Sequence, residues 1–255
     1  MTLQRITIAP DQFHPREPQG LILTPEQVHY LRQVLRLRTG DQFLALNAQG
    51  GLWRSVLEEG GNRATLVEPW ADFPTLSIQA TLLVALPKNG FDEVVRQTVE
   101  LGVKAIVPVL SERTVLQPSE QKQKRWQRIA QEAAEQCERN DVPTIAPPLP
   151  FGSALALLSS TPHRYFCVTR RAASPFLMAV MTLPDQHQSQ QSSQQSLETL
   201  DIAIVTGPEG GWTDAETQKA LDQGWQPVSL GPLILRAVTA PIAAMSVVMA
   251  INFKF

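Results

Sequence analysis

The chain has 255 residues, of which 43% are hydrophobic and 18% charged, and its formal net charge is −2 at pH 7. A chain of this length and composition can bury a large core in one or two domains. No apolar run approaches the roughly 20 residues that cross a bilayer, and the opening residues lack the regions of a signal peptide, so we expect a soluble globular protein. The two isolated cysteines, Cys137 and Cys167, do not suit a disulfide framework or a metal site, and they indicate a reducing, cytoplasmic location.

Residues 1–73 predict short strands around one helix. Thr24-Pro25-Glu26-Gln27 combines an N-cap, a proline at the first helical position and a capping-box glutamine, so a helix should run from about 25 to 36. Apolar residues then alternate as in a β-meander with turns at Gly50-Gly51 and Gly60-Gly61. These residues are Leu44, Leu46, Leu52, Val56, Ala64 and Leu66. The proline-bounded stretch 69–74 predicts a domain boundary, with the second domain covering 74–255.

From Leu76 onward, strands alternate with helices, which is typical of a mainly parallel α/β sheet. The predicted strands cover about 77–86, 104–109, 164–169, 201–206 and 226–230. The predicted helices cover about 90–101, 121–138, 213–223 and 239–252. Between Asp185 and Ser196 lies a Gln- and Ser-rich segment whose composition cannot pack a core, so we expect a surface insertion there.

Two glycine-bearing turns follow predicted strands near the C-terminus. They are 207–211, Gly-Pro-Glu-Gly-Gly, and 230–236, which begins Leu-Gly-Pro. Because small ligands bind at the carboxyl ends of strands in open α/β sheets, the two turns together predict a pocket. Each turn alone is equally consistent with ordinary turn glycines.

The first of these turns does not match a known phosphate-binding loop. It matches neither the Walker A nor the dinucleotide pattern. Pro208 lacks an N–H that a phosphate would need, and the charge of Glu209 would repel one. A cationic or neutral ligand such as S-adenosylmethionine fits better.

Strings along most of the chain resemble the ribosomal-RNA small-subunit uridine-N3 methyltransferases, the RsmE-like branch of the SPOUT superfamily. The C-terminal strings are Ile204-Val205-Thr206-Gly207-Pro208-Glu209-Gly210-Gly211, Leu230-Gly231 and Ile234-Leu235-Arg236-Ala237-Val238-Thr239-Ala240. The earlier strings are His29-Tyr30-Leu31, Val34-Leu35-Arg36, Gly40-Asp41, Leu86-Pro87-Lys88, Glu100-Leu101-Gly102-Val103, Glu112-Arg113-Thr114-Val115, Arg125-Trp126 and Glu132-Ala133-Ala134-Glu135-Gln136. Each string alone is weak, but their order and spacing together are specific.

The resemblance implies a small PUA-like RNA-binding β-barrel domain over 1–73, followed by a SPOUT methyltransferase domain over 74–255. It also implies a C-terminal trefoil knot that holds S-adenosylmethionine, and methylation of N3 of a uridine in small-subunit (16S) ribosomal RNA. The predicted cofactor-binding residues are Val168, Thr169, Gly207, Glu209, Gly211, Leu230, Gly231, Leu235 and Thr239. The last predicted helix has small and apolar residues on more than one face, which by itself indicates burial within its own domain or against another subunit. The resemblance implies the second, so we predict a homodimer that acts on small-subunit rRNA in the context of the 30S subunit.

Basic residues cluster in two places despite the negative net charge. Arg32, Arg36 and Arg38 lie in the stretch 28–40, which has no acidic residue, and a second cluster opens the predicted helix 121–138. Each cluster alone is typical of a solvated helix face, whereas in an RNA-modifying enzyme both become candidate phosphate contacts. The predicted RNA-binding residues are Arg32, Arg36, Arg38, Lys88, Arg113, Lys122 and Arg125.

Uracil N3 becomes a nucleophile only when its proton leaves, and negative charge then spreads to the flanking carbonyl oxygens. The site therefore needs a proton acceptor and a cation or N–H donors. Arg236 is the candidate cation, and Glu209 and Glu135 are candidate bases or base-orienting residues. The alternative for Arg236 is an ordinary arginine at a helix N-terminus, paired with a carboxylate.

One position departs from the resembled family, which commonly has glutamate where this chain has Val238. That glutamate is either catalytic or structural, and we favour a structural role in capping the final helix beside Thr239. Two other functions stay open. One is a SPOUT enzyme acting on transfer RNA, and the other is a catalytically silent RNA-binding factor in ribosome assembly.

Overall fold

The fold is given by a computed structural model that describes residues 3–14, 17, 19–47, 51–60, 62–70, 76–115, 117–139, 141–169, 173–183 and 199–252, without the side chain of residue 47. The predicted turn at Gly50-Gly51, the boundary stretch 69–74 and the Gln- and Ser-rich segment fall wholly or partly outside these residues. The chain forms two compact units, Met1–Pro74 with Gln131–Val142 and Thr75–Ala130 with Pro143–Phe255. No helix in the described ranges has the length and apolar character of a membrane span.

The first unit contains a curled five-stranded half-barrel sheet. Its strands are β1 (Arg5–Ile8), β2 (Gly20–Ile22), β3 (Gln42–Asn47), β4 (Leu52–Leu57) and β5 (Arg63–Pro69). The strand order is β1-β3-β4-β5-β2, in which β1 and β3 are parallel and the other pairs antiparallel. The predicted meander is therefore present, and apolar side chains such as Leu21, Phe43 and Leu57 fill its core.

The predicted helix at 25–36 is shorter than expected. The α-helix α1 covers Pro25–His29, and a π-helical turn follows over Tyr30–Val34. The predicted capping box is present, because Thr24 Oγ1 accepts the Gln27 N–H at 3.2 Å and Gln27 Oε1 accepts the Thr24 N–H at 2.9 Å. The wider turn allows Leu31 to be buried while Leu35 also packs against the sheet core. Tertiary packing thus overrides the regular helical period that the sequence predicted.

The second unit is built on an eight-stranded parallel sheet. Its strands are β6 (Ile78–Ala85), β7 (Ala105–Leu110), β8 (Thr144–Ile145), β9 (Leu149–Pro150), β10 (His163–Cys167), β11 (Ser174–Pro175), β12 (Leu200–Thr206) and β13 (Gln226–Ser229). Its helices are α2 (Phe91–Glu100), α4 (Phe151–Leu157), α5 (Phe176–Met181), α6 (Asp214–Asp222) and α7 (Thr239–Asn252). Helix α3 (Glu120–Gln136) begins in this unit, and its residues from Gln131 onward belong to the first. The strand order is β11-β13-β10-β12-β6-β7-β8, and β9 also pairs with β7.

The parallel α/β architecture and its five main strands confirm the prediction, whereas α4, α5 and the two-residue strands were missed. Strand β12 lies inside the sheet between β10 and β6. Its residues 202–206 are buried on both faces, as the apolar run without alternation predicted. Since β12, β10 and β13 are parallel neighbours, their carboxyl ends meet at one edge of the sheet, and the loops that follow them come together there.

Helix α7 runs from this edge back across the sheet. It packs against α2, β6 and β12, with Ala244, Met245 and Val248 buried and Ser246 and Ala250 exposed. Asn252, the last residue of α7, forms side-chain hydrogen bonds with the start of β6. Asn252 Oδ1 accepts the Ile78 N–H at 2.8 Å and the Ser77 hydroxyl at 3.0 Å, and Asn252 Nδ2 donates to the Ile78 carbonyl at 3.2 Å.

We expect Asn252→Ala to lower the free energy of unfolding by about 1–3 kcal/mol, because it leaves half-buried backbone groups of β6 without partners. Urea denaturation of the purified protein measures this change. Gln218→Ala is the matched control, since the Gln218 side chain bonds to an exposed neighbour, Asp222, at 2.8 Å, and loss of that bond should cost less than about 0.5 kcal/mol. Equal unfolding midpoints for the two variants would show that the Asn252 contacts do not stabilise the fold.

Candidate cofactor site

A cavity of about 290 Å³ lies at the carboxyl ends of β10, β12 and β13. It is formed by the segments that follow these strands, with Thr217 of α6 and Ala240 of α7. Eight of the nine predicted cofactor-binding residues line it. They are Val168, Thr169, Gly207, Glu209, Gly211, Leu230, Gly231 and Leu235. The ninth, Thr239, is exposed at the start of α7 and is not among the lining residues.

Glycines shape the two turns in different ways. Gly211 has φ +70° and Gly231 has φ +134°, which favour glycine, yet a Cβ at either position would meet no other atom within 4 Å. These two glycines therefore set the backbone path and leave open space beside it. Gly207 is required for space, because a Cβ there would lie 3.0 Å from Trp212 Nε1.

Trp212, which is not among the residues predicted from the sequence, forms one wall of the cavity. Its Nε1 donates to the Cys167 carbonyl at 3.1 Å, which joins the loop after β12 to the end of β10. Its ring packs against Phe151 and Phe166, with centroids 4.9 Å and 5.2 Å away. An aromatic residue directly after a double glycine was the available signal, because such a ring can cover the turn while its N–H bonds to the backbone.

Charged side chains fasten the glycine turn to neighbouring loops. Glu209 Oε1 accepts the Lys88 N–H at 3.0 Å, and the Arg113 guanidinium donates to the Gly210 carbonyl. The buried Glu216 accepts the Glu112 N–H at 2.8 Å while its other oxygen accepts the Thr213 N–H at 3.0 Å. Because such charge-assisted bonds are stronger than neutral ones, they fix the turn at the edge of the sheet.

Arg236 lies between two lining residues, Leu235 and Ala237. Its carbonyl accepts the N–H groups of Thr239 and Ala240 at 2.9 Å and 3.0 Å, which begins α7. Its side chain is exposed, and within the described ranges its guanidinium has neither an ion-pair nor a hydrogen-bond partner. The guanidinium is thus available to a ligand beside the cavity.

The other predicted catalytic residue, Glu135, lies in the first unit. Its Oε1 accepts the Thr7 N–H at 3.1 Å and a Gln131 side-chain N–H at 3.3 Å. These bonds fasten the end of α3 to β1. The carboxylate therefore has a structural task in this unit.

Of the seven predicted RNA-binding residues, three already bond to other protein atoms through their side chains. Arg32 donates to Thr39 Oγ1 at 3.3 Å and to the Glu58 carbonyl at 3.2 Å. Arg125 pairs with Asp92 at 2.9 Å, and Arg113 bonds to the glycine turn. For the remaining four the described part of the chain offers no side-chain partner. These four are Arg36, Arg38, Lys88 and Lys122.

Position 238 faces the start of α2. A Cβ on Gly90 would lie 2.9 Å from Val238 Cγ2, and Gly90 is the N-cap of α2 without a side-chain capping bond. A side chain at 238 is thus adjacent to the N-terminus of α2 as well as to the start of α7.

Two family models match the chain. An RNA methyltransferase domain matches residues 74–249, and an RNA methyltransferase PUA domain matches residues 23–68. The parallel sheet with its strand-end pocket, together with this match over more than half of the chain, shows that the chain belongs to the RNA methyltransferase family. The resemblance found in the sequence is therefore confirmed.

Within that family, the chain is similar to several proteins named ribosomal RNA small subunit methyltransferase E. The chain is 42% identical over 249 residues to ribosomal RNA small subunit methyltransferase E of Synechocystis sp., covering 97% of this chain and 77% of the relative. The Bacillus subtilis protein of the same name is 29% identical, with 96% of each chain covered. The crystal structure of that methyltransferase from Neisseria gonorrhoeae, bound to S-adenosyl methionine, has a TM-score of 0.79 at 27% identity and 98% coverage of both chains.

Cys167, which lines the cavity, is buried. Burial raises the pKa of the Cys167 thiol to about 12, because the thiolate would lose its hydration. Cys137 is only half-buried. The two cysteines therefore differ in their access to solvent.

We expect iodoacetamide at pH 8 to alkylate Cys137 in the folded protein and to leave Cys167 unmodified. A pKa of about 12 reduces the thiolate fraction at pH 8 by about 1,000-fold relative to an ordinary thiol, and only the thiolate attacks. Peptide mass spectrometry of both sites, with urea-unfolded protein as the control in which both react, measures this difference. Similar rates at the two cysteines in the folded protein would contradict the burial of Cys167.

Proposed function

We propose that this protein is an S-adenosylmethionine-dependent methyltransferase that modifies N3 of a uridine in small-subunit (16S) ribosomal RNA. The observation that carries the proposal is the cavity itself, because its lining coincides with eight of the nine residues that the sequence assigned to the methyl donor. The names of the similar proteins, and the S-adenosyl methionine bound to the relative from Neisseria gonorrhoeae, support the same substrate class and cofactor.

The cavity suits this cofactor in shape and charge. Open space beside Gly211 and Gly231 lets a ligand approach the main chain, which can bond to an adenine and a ribose. Glu209 is the single charged residue among the described lining residues, and its negative charge favours a sulfonium over a phosphate. When bound, S-adenosylmethionine would supply the methyl group as an electrophile.

Arg236 and Glu209 are the residues we propose to act at the uracil. Arg236 lies between two lining residues and its guanidinium is unpaired within the described residues, so we assign it the task of stabilising the negative charge on O2 or O4 when N3 loses its proton. One Glu209 oxygen is taken by the Lys88 N–H, and the other can accept the N3 proton. Glu135 already holds the Thr7 N–H, so we propose a structural role for it rather than a catalytic one.

Arg36, Arg38, Lys88 and Lys122 are the side chains we propose to contact RNA phosphates. Their charged groups are not used within the described part of the chain, whereas Arg32, Arg113 and Arg125 are held by protein acceptors. A cation already bound to a protein carboxylate or carbonyl has less to gain from a phosphate.

A homodimer is part of the same proposal. Leu177, Met178 and Met181 on α5 are each about half exposed, and α5 packs beside α7. A row of exposed apolar residues next to a helix rich in small residues is typical of a surface that another subunit covers. The trefoil knot, the cytoplasmic location and action on the small ribosomal subunit follow from the family resemblance and belong to this proposal as well.

The test of the function is mass-spectrometric mapping of modified nucleosides in small-subunit rRNA from a strain that lacks this gene. We expect one 3-methyluridine to be lost and to return when the wild-type gene is restored. Loss of a methylated nucleoside from transfer RNA would favour the transfer-RNA alternative. An unchanged modification pattern in both RNAs would favour a silent assembly factor.

Arg236 and Gly211 should separate catalysis from cofactor binding. Arg236→Ala should lower the single-turnover rate by about 100-fold or more with little change in S-adenosylmethionine affinity, because the guanidinium acts on charge that develops in the transition state. Arg236→Lys should restore the rate only in part, since it lacks the planar fork. Gly211→Val should weaken the calorimetric affinity for S-adenosylmethionine, because a β-branched residue disfavours φ +70°.

Thermal unfolding of the same variants is the control for misfolding. A near-normal rate for Arg236→Ala would assign Arg236 a structural role. Unchanged affinity for Gly211→Val in a folded protein would place the cofactor elsewhere.

A further inference from the structure

The π-helical turn of the first unit exposes an aromatic ring. Tyr30 is 38% exposed and Val34 is 58% exposed, although both are large side chains in a unit with a well-packed core. Residues four apart lie on the same side of a helical turn, which places Val34 beside Tyr30. The Leu35 N–H closes the turn on the Tyr30 carbonyl at 2.9 Å, and the exposed Arg36 follows directly after it. We call Tyr30, Val34 and Arg36 the Tyr30 face.

Arg36 has an unusual backbone conformation. Its φ is +58°, which glycine adopts readily and arginine does not. The π-helical turn that precedes it is also a rare element that is frequent at functional sites. Since glycine would end the turn at lower cost, the arginine side chain is present for a reason other than backbone geometry.

The chain segment that carries the Tyr30 face is basic. Residues 28–40 include no acidic residue, and neither Arg36 nor Arg38 has a side-chain partner in the described part of the chain. The flanking acidic residues are Glu26, four residues before Tyr30, and Asp41, whose carboxylate accepts the Arg38 N–H at 2.7 Å. An exposed ring among unpaired guanidinium groups is the combination that binds single-stranded RNA, in which bases stack on aromatic rings and cations follow the phosphates.

We propose that the Tyr30 face binds one unpaired nucleotide of the substrate RNA. Its base stacks on the Tyr30 ring beside Val34, and Arg36 and Arg38 contact the flanking phosphates. This inference rests on the proposed function, because it takes ribosomal RNA as the partner. It adds a stacking site, so that RNA binding requires an unpaired nucleotide. A base within a duplex cannot stack on the ring, because its faces are covered by neighbouring base pairs.

Four variants test the proposal by binding to unmodified small-subunit rRNA over a range of salt concentrations. Tyr30→Ala should weaken binding on the order of tenfold without changing the salt slope, because stacking releases no counterions. Tyr30→Phe should bind within about twofold of wild type, since it keeps the ring. Arg36→Gly should weaken binding and flatten the salt slope by about one phosphate contact, while its thermal stability stays equal or rises.

Val67→Ala is the matched control, because Val67 is an exposed apolar residue of the same unit, 44% accessible, and it should not change binding. Wild-type affinity for Tyr30→Ala would overturn the stacking site. A loss that appears with intact 30S subunits but not with the free rRNA would also overturn it, because the partner would then be a ribosomal protein. Equal losses for Tyr30→Ala and Tyr30→Phe would show that the ring does not stack.

The outcome is separable from the proposed function. S-adenosylmethionine affinity and the identity of the methylated nucleoside are measured without reference to the Tyr30 face. If the mapping finds no lost 3-methyluridine, the proposed function fails even where rRNA binding depends on Tyr30. If Tyr30→Ala binds like wild type while the mapping succeeds, only the stacking site fails.

Discussion

The hydrogen bond from Trp212 Nε1 to the Cys167 carbonyl joins the two strand ends between which the cavity lies. It is possible because β12 and β10 are parallel neighbours that end at the same edge, and because Gly207 has no side chain where the indole passes. The ring also completes an aromatic cluster with Phe151 and Phe166. The position of the glycine turn is therefore coupled to the packing of the core beneath it.

Near the Trp212–Cys167 hydrogen bond, charged side chains form hydrogen bonds with the main chain rather than ion pairs with one another. Glu209, Arg113 and Glu216 each hold a backbone group of a neighbouring loop. Their charges are partly satisfied inside the protein, whereas the Arg236 guanidinium has no partner within the described residues. Hydrogen bonds that hold the turn in place suit a site where charge forms during a reaction, because preorganised groups do not have to move at that moment.

The main strands and long helices were predictable because burial on both faces leaves continuous apolar runs, as in β12, and because caps such as Thr213 with Glu216 mark helix starts. Helices α4 and α5 could not be predicted, since six or seven residues are too few to show a helical period. The π-helical turn escaped prediction because it depends on where Leu31 and Leu35 meet the sheet. Eight lining residues followed from the two glycine turns and the family resemblance. The hydrogen-bond partners of Arg113 and Arg125 could not be predicted in this way, because they lie 97 and 33 residues away in sequence.

Val238 and Gly90, which are 148 positions apart in sequence, meet where helices α2 and α7 begin. Gly90 has φ +86° and no room for a Cβ while valine occupies position 238. The glutamate that the resembled family commonly has at that position would bring a carboxylate to the partial positive charge at the start of α2, whereas valine replaces that electrostatic contact with an apolar one. The φ of Gly90 favours glycine whatever residue stands at position 238, so the substitution at 238 changes the contact between the starts of α2 and α7 without a matching change at position 90.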